Sequence, residues 1–274
     1  MFVWRKRASV AWLAANEDAL KAAAGENLAI IYAAAQKTAV VEVAHKSRLI
    51  LERLSRRFAG RIDALPADWF ERVRQASARP ALRIGRRLTI VGARRHAAKS
   101  CPALVIPAGA AFGTGQHVTT AMSLRLLEQI SRVWEAGWSL LDYGTGSGIL
   151  ALAAKRFGAG TVVGIDVDPK AVSIARQNAR LNKIRGIDFR RFDVRKGTVE
   201  GDFHVVTANI FAELLIDTTP RIARQLKHAG FAILSGILRG QERHVVRALR
   251  ASDFVVRIAR RRGKWVVLLA QKRI

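Results

Sequence analysis

Seven residues, Asp142-Tyr143-Gly144-Thr145-Gly146-Ser147-Gly148, place three glycines at alternate positions directly after the apolar run "SLL". Glycine lets backbone amides approach a ligand without a Cβ in the way and reaches conformations other residues avoid, so a turn of this kind suits a bound small molecule. The Gly-x-Gly-x-Gly spacing of Gly144, Gly146 and Gly148 differs from the Gly-x-Gly-x-x-Gly of dinucleotide enzymes. The next apolar run, "TVVGID", ends in Asp166, whose carboxylate can accept hydrogen bonds from both hydroxyls of a ribose. A helix-capping role for Asp166 is already filled, since Asp168-Pro169 supplies the cap and the first helical residue. Upstream, "AFGTGQHVTT" (Ala111 to Thr120) is a second glycine-rich segment ahead of the amphipathic run "AMSLRLLEQI". It lacks the Gly-Lys-Ser/Thr ending of a phosphate loop, so a different ligand is expected there. The single cysteine, Cys101, excludes an internal disulfide and a cysteine-based zinc site, and no metal is expected.

These residues act only if the fold delivers them to one place. From Leu140 onward, nearly all-apolar strands alternate with amphipathic helices: "SLLDYG", "ILALAAKRFG", "TVVGIDV", "PKAVSIARQNARLN", "GIDFRRFDV", "FHVVTANI", "LLIDTTPRIARQLK", "FAILSGI". Such a pattern predicts a parallel sheet covered on both faces, whose ligands bind beyond the carboxyl ends of the strands where the strand order reverses. The tail "DFVVRIARRRGKWVVLLAQK" has two apolar runs around "RRRGK" with no helix between them, which predicts a hairpin. The first 65 residues read instead as strand, helix, strand, strand, helix, strand, the order of a small α+β ferredoxin-like domain. The segment 66–107, including "PADWFERVRQASARP" and the short alternating runs "ALRIGRRLTIVG" and "PALVIP", is expected to be a linker with short strands.

The chain of 274 residues is half hydrophobic and carries a formal net charge of +26. The basic excess is spread along the whole sequence rather than gathered in a tail, so it gives long-range attraction to polyanions, ribosomal RNA among them, or reflects a generally arginine-rich composition. The start, "MFVWRKRASVAWLAAN", resembles a signal peptide loosely, but "NED" interrupts the apolar stretch and no cleavage pattern follows, so export is not expected. No run of about 18 uninterrupted apolar residues predicts a membrane span. A cytoplasmic protein of a 1–65 domain, a 66–107 linker and a 108–274 α/β domain is the expectation.

The glycine turn, Asp166 and the terminal hairpin resemble class I S-adenosylmethionine-dependent methyltransferases, whose Rossmann-like seven-stranded sheet ends in such a hairpin. More narrowly, "AFGTGQHVTT", "LLDYGTGSGILALAAKRFGA", "VVGIDVDPKAV", "ANIFAELL" and "LSGIL" occur in the order and at the spacing of the ribosomal protein L-eleven methyltransferase family, the PrmA-like enzymes. The resemblance covers residues 80 to 274. It implies S-adenosyl-L-methionine as cofactor, "AFGTGQHVTT" as a lid over it, and Thr120, Gly144, Asp166 and Asn209 as cofactor contacts, with Phe112 and His117 lining the same loop. "IPAGAAF" replaces the acidic residue and proline often found before that loop, and Thr145 stands where cysteine is common.

The reaction so implied is methyl transfer to lysine and N-terminal amines of a ribosomal protein. An amine must first lose its proton, a greater demand on lysine than on an α-amine. No dedicated base is evident. Asn209 is expected to orient the incoming amine by accepting a hydrogen bond through its side-chain or backbone carbonyl. The alternatives are a lysine methyltransferase acting on another protein and an RNA methyltransferase. Against the latter, "ANIF" lacks the Asp/Asn-Pro-Pro-aromatic signature of base-amino methylation. A ribosome-binding module that keeps a dead fold is the non-enzymatic alternative.

Overall fold

The computed structural model describes residues 1–24, 28–32, 38–45, 47–65, 81–93, 101–107 and 117–273. The chain divides into two compact units, Met1–Ala76 and Ser77–Ile274.

In the first unit, β1 (Phe2–Ser9), α1 (Val10–Ala24), β2 (Leu28–Tyr32), β3 (Thr38–His45), α2 (Arg48–Phe58) and β4 (Arg61–Ala64) follow the expected order. They form an antiparallel sheet ordered β2-β3-β1-β4. The two-residue strand period puts Trp4 opposite Val43 and Ala8 opposite Ala39 on one face, where Leu13 and Leu20 of α1 and Leu51, Leu54 and Phe58 of α2 join Trp4, Val43 and Ala39 in a single core. Both helices therefore cover the same face. On the other, Arg5 bridges Glu42 at 2.6 Å and Asp63 at 3.3 Å.

The second unit is built on a seven-stranded sheet. Its elements are α3 (Val118–Ile130), β8 (Ser139–Tyr143), α4 (Ile149–Arg156), β9 (Thr161–Asp166), α5 (Pro169–Leu181), β10 (Ile187–Arg191), β11 (Phe203–Asn209), α6 (Ala212–Gln225), β12 (Leu226–Leu238), α7 (Glu242–Ala251), β13 (Phe254–Arg262) and β14 (Trp265–Lys272). The strand order is β10-β9-β8-β11-β12-β14-β13, with β14 antiparallel to both neighbours, so the tail hairpin is present. Successive residues enter opposite cores: Leu140, Val162, Val205 and Ile233 pack with α3, α4 and α5, while Leu141, Val163, Val206 and Leu234 pack with α6 and α7. This double burial is why the strands read as continuous apolar runs.

Two features differ from the sequence reading. The strands β5 (Leu82–Ile84), β6 (Leu88–Val91) and β7 (Ala103–Val105) are not linker: Ile84, Leu88, Ile90 and Leu104 lie in the same core as Leu124 and Leu127 of α3. Asn182 clamps this sheet to the end of α5, accepting from the Val105 amide and donating to the Val105 carbonyl, both at 2.7 Å. The second difference is α7, for which the sequence reading gave no element. Only Val245 and Leu249 of this helix are buried, with Val246 packed beside them, so one face is apolar and the other is rich in arginine.

Candidate functional site

The strand order reverses at β8, between β9 and β11, so a crevice is expected above the carboxyl ends of these three strands. The glycine turn begins there. Gly144, Gly146 and Gly148 all have positive φ, at 65°, 53° and 79°. At Gly144 a Cβ would also fall 2.5 Å from Ile210 Cγ2, so both conformation and space demand glycine. The turn is held from several sides. The Thr145 amide donates to the Ile165 carbonyl at 2.9 Å, the Gly148 amide to the Thr145 carbonyl at 2.8 Å, and Asn178 Nδ2 to the Ser147 carbonyl at 2.8 Å.

Asp166, the last residue of β9, is partly exposed, and its two oxygens are each fixed by one backbone amide: Oδ2 accepts from Gly146 and Oδ1 from Asp168, both at 3.0 Å. A carboxylate has about four acceptor directions, so two remain for a ligand diol. As expected, Asp168 is the cap of α5, accepting from the Lys170 amide at 2.8 Å.

Asn209 ends β11 and lies within a chain of hydrogen bonds. Ser123 Oγ donates to Ser235 Oγ at 3.0 Å, Ser235 Oγ donates to Asn209 Oδ1 at 2.7 Å, and Asn209 Nδ2 donates to Thr120 Oγ1 at 3.3 Å. Thr120, Ser123 and Ser235 are fully or almost fully buried. One direction of the Asn209 side-chain carbonyl is thus already taken by Ser235, and the orientation of the amide is set by α3 and β12 together. The next residues turn sharply outward, leaving the Phe211 side chain 80% exposed. Ser235 sits at an irregularity in β12 where the register against β14 shifts. Its neighbour Gly236 has φ 86°, and a Cβ there would fall 2.2 Å from the Ile210 carbonyl oxygen. The "LSGIL" segment therefore makes room for the backbone that follows Asn209.

His117 precedes α3 and points toward the hairpin: its ring meets Trp265 edge-on at 4.8 Å, and Nδ1 is 2.7 Å from Thr119 Oγ1. Burial, with help from the Lys264 charge, lowers its pKa, so the neutral ring is favoured. Phe112 lies outside the described residues, as does the loop up to residue 116. The structure thus links Asp166 to Gly146, Gly144 to Ile210, and Asn209 to Thr120 along one end of the sheet. His117 is aimed at β14 instead.

Sequence reasoning missed Asp142, Thr207, Ser123 and Ser235. Asp142 is buried under the glycine turn, where Oδ2 accepts from Thr145 Oγ1 at 2.7 Å and Oδ1 from Thr207 Oγ1 at 2.6 Å. Desolvation raises its pKa to about 6, against the pull of those two hydroxyls. It ties the turn to β11. The available signal was a carboxylate inside an otherwise apolar strand, which demands partners. A separate hollow of about 760 Å³, lined by Ser139, Thr161, Ile187 and His204, opens at the amino ends of the strands. His204 Nδ1 accepts from the Ser139 amide there, so that ring is fixed by the fold. Among the described residues no cluster of His, Cys, Asp and Glu could hold a metal ion, and no helix is long and apolar enough to cross a membrane.

Comparison with known proteins gives a consistent result. The sequence profile of the family described as ribosomal protein L11 methyltransferase (PrmA) matches residues 11–273. A ribosomal protein L11 methyltransferase of Symbiobacterium thermophilum is 39% identical over 225 residues, covering 78% of this chain and 70% of that protein. Its counterpart in Pelobacter propionicus is 39% identical over 198 residues, 70% of this chain and 63% of that protein. A crystal structure of a ribosomal protein L11 methylase from Lactobacillus delbrueckii subsp. bulgaricus superposes with a TM-score of 0.63 at 29% identity, covering 72% of this chain and all of that one. The matched segment thus spans about two thirds of the length of these curated relatives.

Proposed function

The chain belongs to the ribosomal protein L11 methyltransferase family, and on that premise we propose that it transfers methyl groups from S-adenosylmethionine to lysine side-chain and N-terminal amines of ribosomal protein L11. The observation that carries this reading is the arc of Asp166, the glycine turn and Asn209 at the point where strand order reverses. The arc fits the cofactor. Asp166 is anchored from behind by two amides and keeps acceptor capacity for the ribose hydroxyls. Gly144, Gly146 and Gly148 carry no side chains, so the turn can offer bare backbone to the amino-acid end of the ligand, with the amino terminus of α4 directly behind.

The cofactor supplies an electrophilic methyl group on a sulfonium, and the protein has to bring a neutral amine into line with it. Asn209 is the group placed to orient that amine, because its side chain is locked between Ser235 and Thr120. Burial of the amine and a nearby positive charge both favour its deprotonated form, so proton loss to solvent requires no dedicated base. Asp142, the carboxylate buried under the turn, is occupied by two threonine hydroxyls and is a support rather than a base.

The same reading gives the 1–65 unit the task of recognising the ribosomal protein, assigns a cytoplasmic setting where ribosomes are made, and includes attraction of the basic surface to ribosomal RNA. The test is direct. Purified L11 incubated with the protein and isotopically labelled S-adenosylmethionine should gain methyl groups on lysine or α-amines, located by peptide mass spectrometry. Label that appears in RNA and is removed by nuclease would instead support the RNA methyltransferase reading.

A further inference from the structure

Helix α7 buries Val245 and Leu249 and turns the opposite side outward. That side carries Arg243, Arg247 and Arg250, which with Arg239 before the helix and Arg261 of β13 line a groove of about 540 Å³. Glu242 is the one carboxylate in the lining, and Arg261 already pairs with it. Arg239, Arg243, Arg247 and Arg250 have no side-chain hydrogen bond or ion pair to any described residue, and all four are exposed. Four unpaired guanidinium groups repel one another in a shared concavity unless an anion lies between them.

We propose that this groove is a docking site for the phosphate backbone of RNA, separate from the methyl-transfer site. Two observations select RNA over an acidic protein. Among the described lining residues Val246 is the only apolar side chain, whereas the centre of a protein interface is apolar and aromatic. The cations are all arginines, whose planar forks match phosphate oxygens in pairs. From Arg243 to Arg250 the helix rises roughly 10 Å, at about 1.5 Å per residue, which spans about three successive phosphates of a duplex strand. The described lining of the groove comes from Arg239 and α7, with Arg261 of the edge strand β13, and shares no residue with the glycine turn, Asp166 or Asn209. The identity of that RNA as ribosomal rests on the proposed substrate, while the docking chemistry does not.

The test uses the full-length protein and a fluorescein-labelled RNA stem-loop of about 24 nucleotides, followed by anisotropy between 50 and 200 mM salt. Replacing Arg243, Arg247 and Arg250 together by Gln should weaken binding at least tenfold and lower the slope of log K against log salt by about 2 to 3, since each phosphate contact contributes about 0.7 to 0.9. A control in which Arg53, Arg56 and Arg57 of α2 become Gln should stay within twofold of the wild type. Calorimetric affinity for S-adenosylmethionine should be unchanged in both variants, and urea denaturation should show both units folded in each. Equal losses in the two variants would mean diffuse attraction by net charge and overturn the proposal, as would wild-type affinity in the α7 variant. Displacement of the RNA by polyglutamate at the same charge concentration would assign the groove to an acidic protein instead. If neither wild type nor variant methylates L11 while the RNA result holds, the substrate reading fails and the docking site stands.

Discussion

Replacing Asp166 by Ala tests the cofactor site most directly. The carboxylate receives one amide hydrogen bond on each oxygen, from Gly146 and Asp168 at 3.0 Å, and its remaining acceptor capacity is what the ribose hydroxyls would use. A hydrogen bond to an ionised group is worth about 1.5 to 3 kcal/mol net. Asp166 is partly exposed, so water can replace the lost partner in the empty mutant site, and the worth of one such bond rather than the sum for two hydroxyls is the better guide. The expected loss is about 1.5 to 3 kcal/mol, or roughly 10- to 150-fold in Kd at 1.4 kcal/mol per decade. The two amides exposed by the change can both reach solvent, so global stability should fall by no more than about 1 kcal/mol. Asp166→Asn separates charge from geometry. Its Nδ2 would have to face one of the two amides, donor against donor, so the variant should lose nearly as much affinity as Ala. Isothermal calorimetry with S-adenosylmethionine reads the affinity, and urea denaturation reads the fold. Unchanged affinity in the Ala variant refutes the assignment of Asp166 to the ribose, and full affinity in the Asn variant refutes the geometric part.

Asp142 should make stability depend on pH. Its folded pKa of about 6 lies above the ordinary value of 3.8, so the folded state binds the proton more tightly and the group's contribution is intact below about pH 4 and lost as pH rises to 6. Two units correspond to about 3 kcal/mol, and in denaturant titrations Asp142→Asn should gain up to that amount relative to wild type between pH 4 and 7, whereas parallel pH profiles would contradict it. Ser235→Ala removes the donor that fixes Asn209, so kcat on L11 should drop several-fold while the calorimetric Kd for S-adenosylmethionine stays within about twofold; an unaltered kcat would deny Asn209 its orienting role. A chain beginning at Arg79 should still bind S-adenosylmethionine, because β5 to β14 lie in the second unit, yet lose most methylation of intact L11. Methylation at the full-length rate would place recognition in the second unit.

The local grammar of the chain was decided by sequence. Apolar runs of strand length that alternate with helices can bury themselves only in a parallel sheet covered on both sides, and the cores on either face of β8, β9, β11 and β12 realise that constraint. The glycine spacing and the carboxylate at the end of β9 were legible for the same reason, since Gly144 and Asp166 carry their requirement in their own residue type. Helix α7 went unread although Val245, Val246 and Leu249 recur at helical spacing with arginines on the opposite face; the apolar face is only three residues in a ten-residue run, and the core beneath α6 and β13 is what covers it. Nor could sequence order show that Ser123, Thr120, Asn209 and Ser235 form one hydrogen-bonded chain, or that Gly236 yields space to Ile210, since those contacts join residues far apart in the chain. The segment 82–105 shows the same limit: strands of three or four residues are too short to declare a partner, and the buried surface of α3 draws them into the second unit's core. Residue type and period set which elements form, while long-range packing decided which side chains meet, because a contact between distant residues depends on how every intervening element is placed.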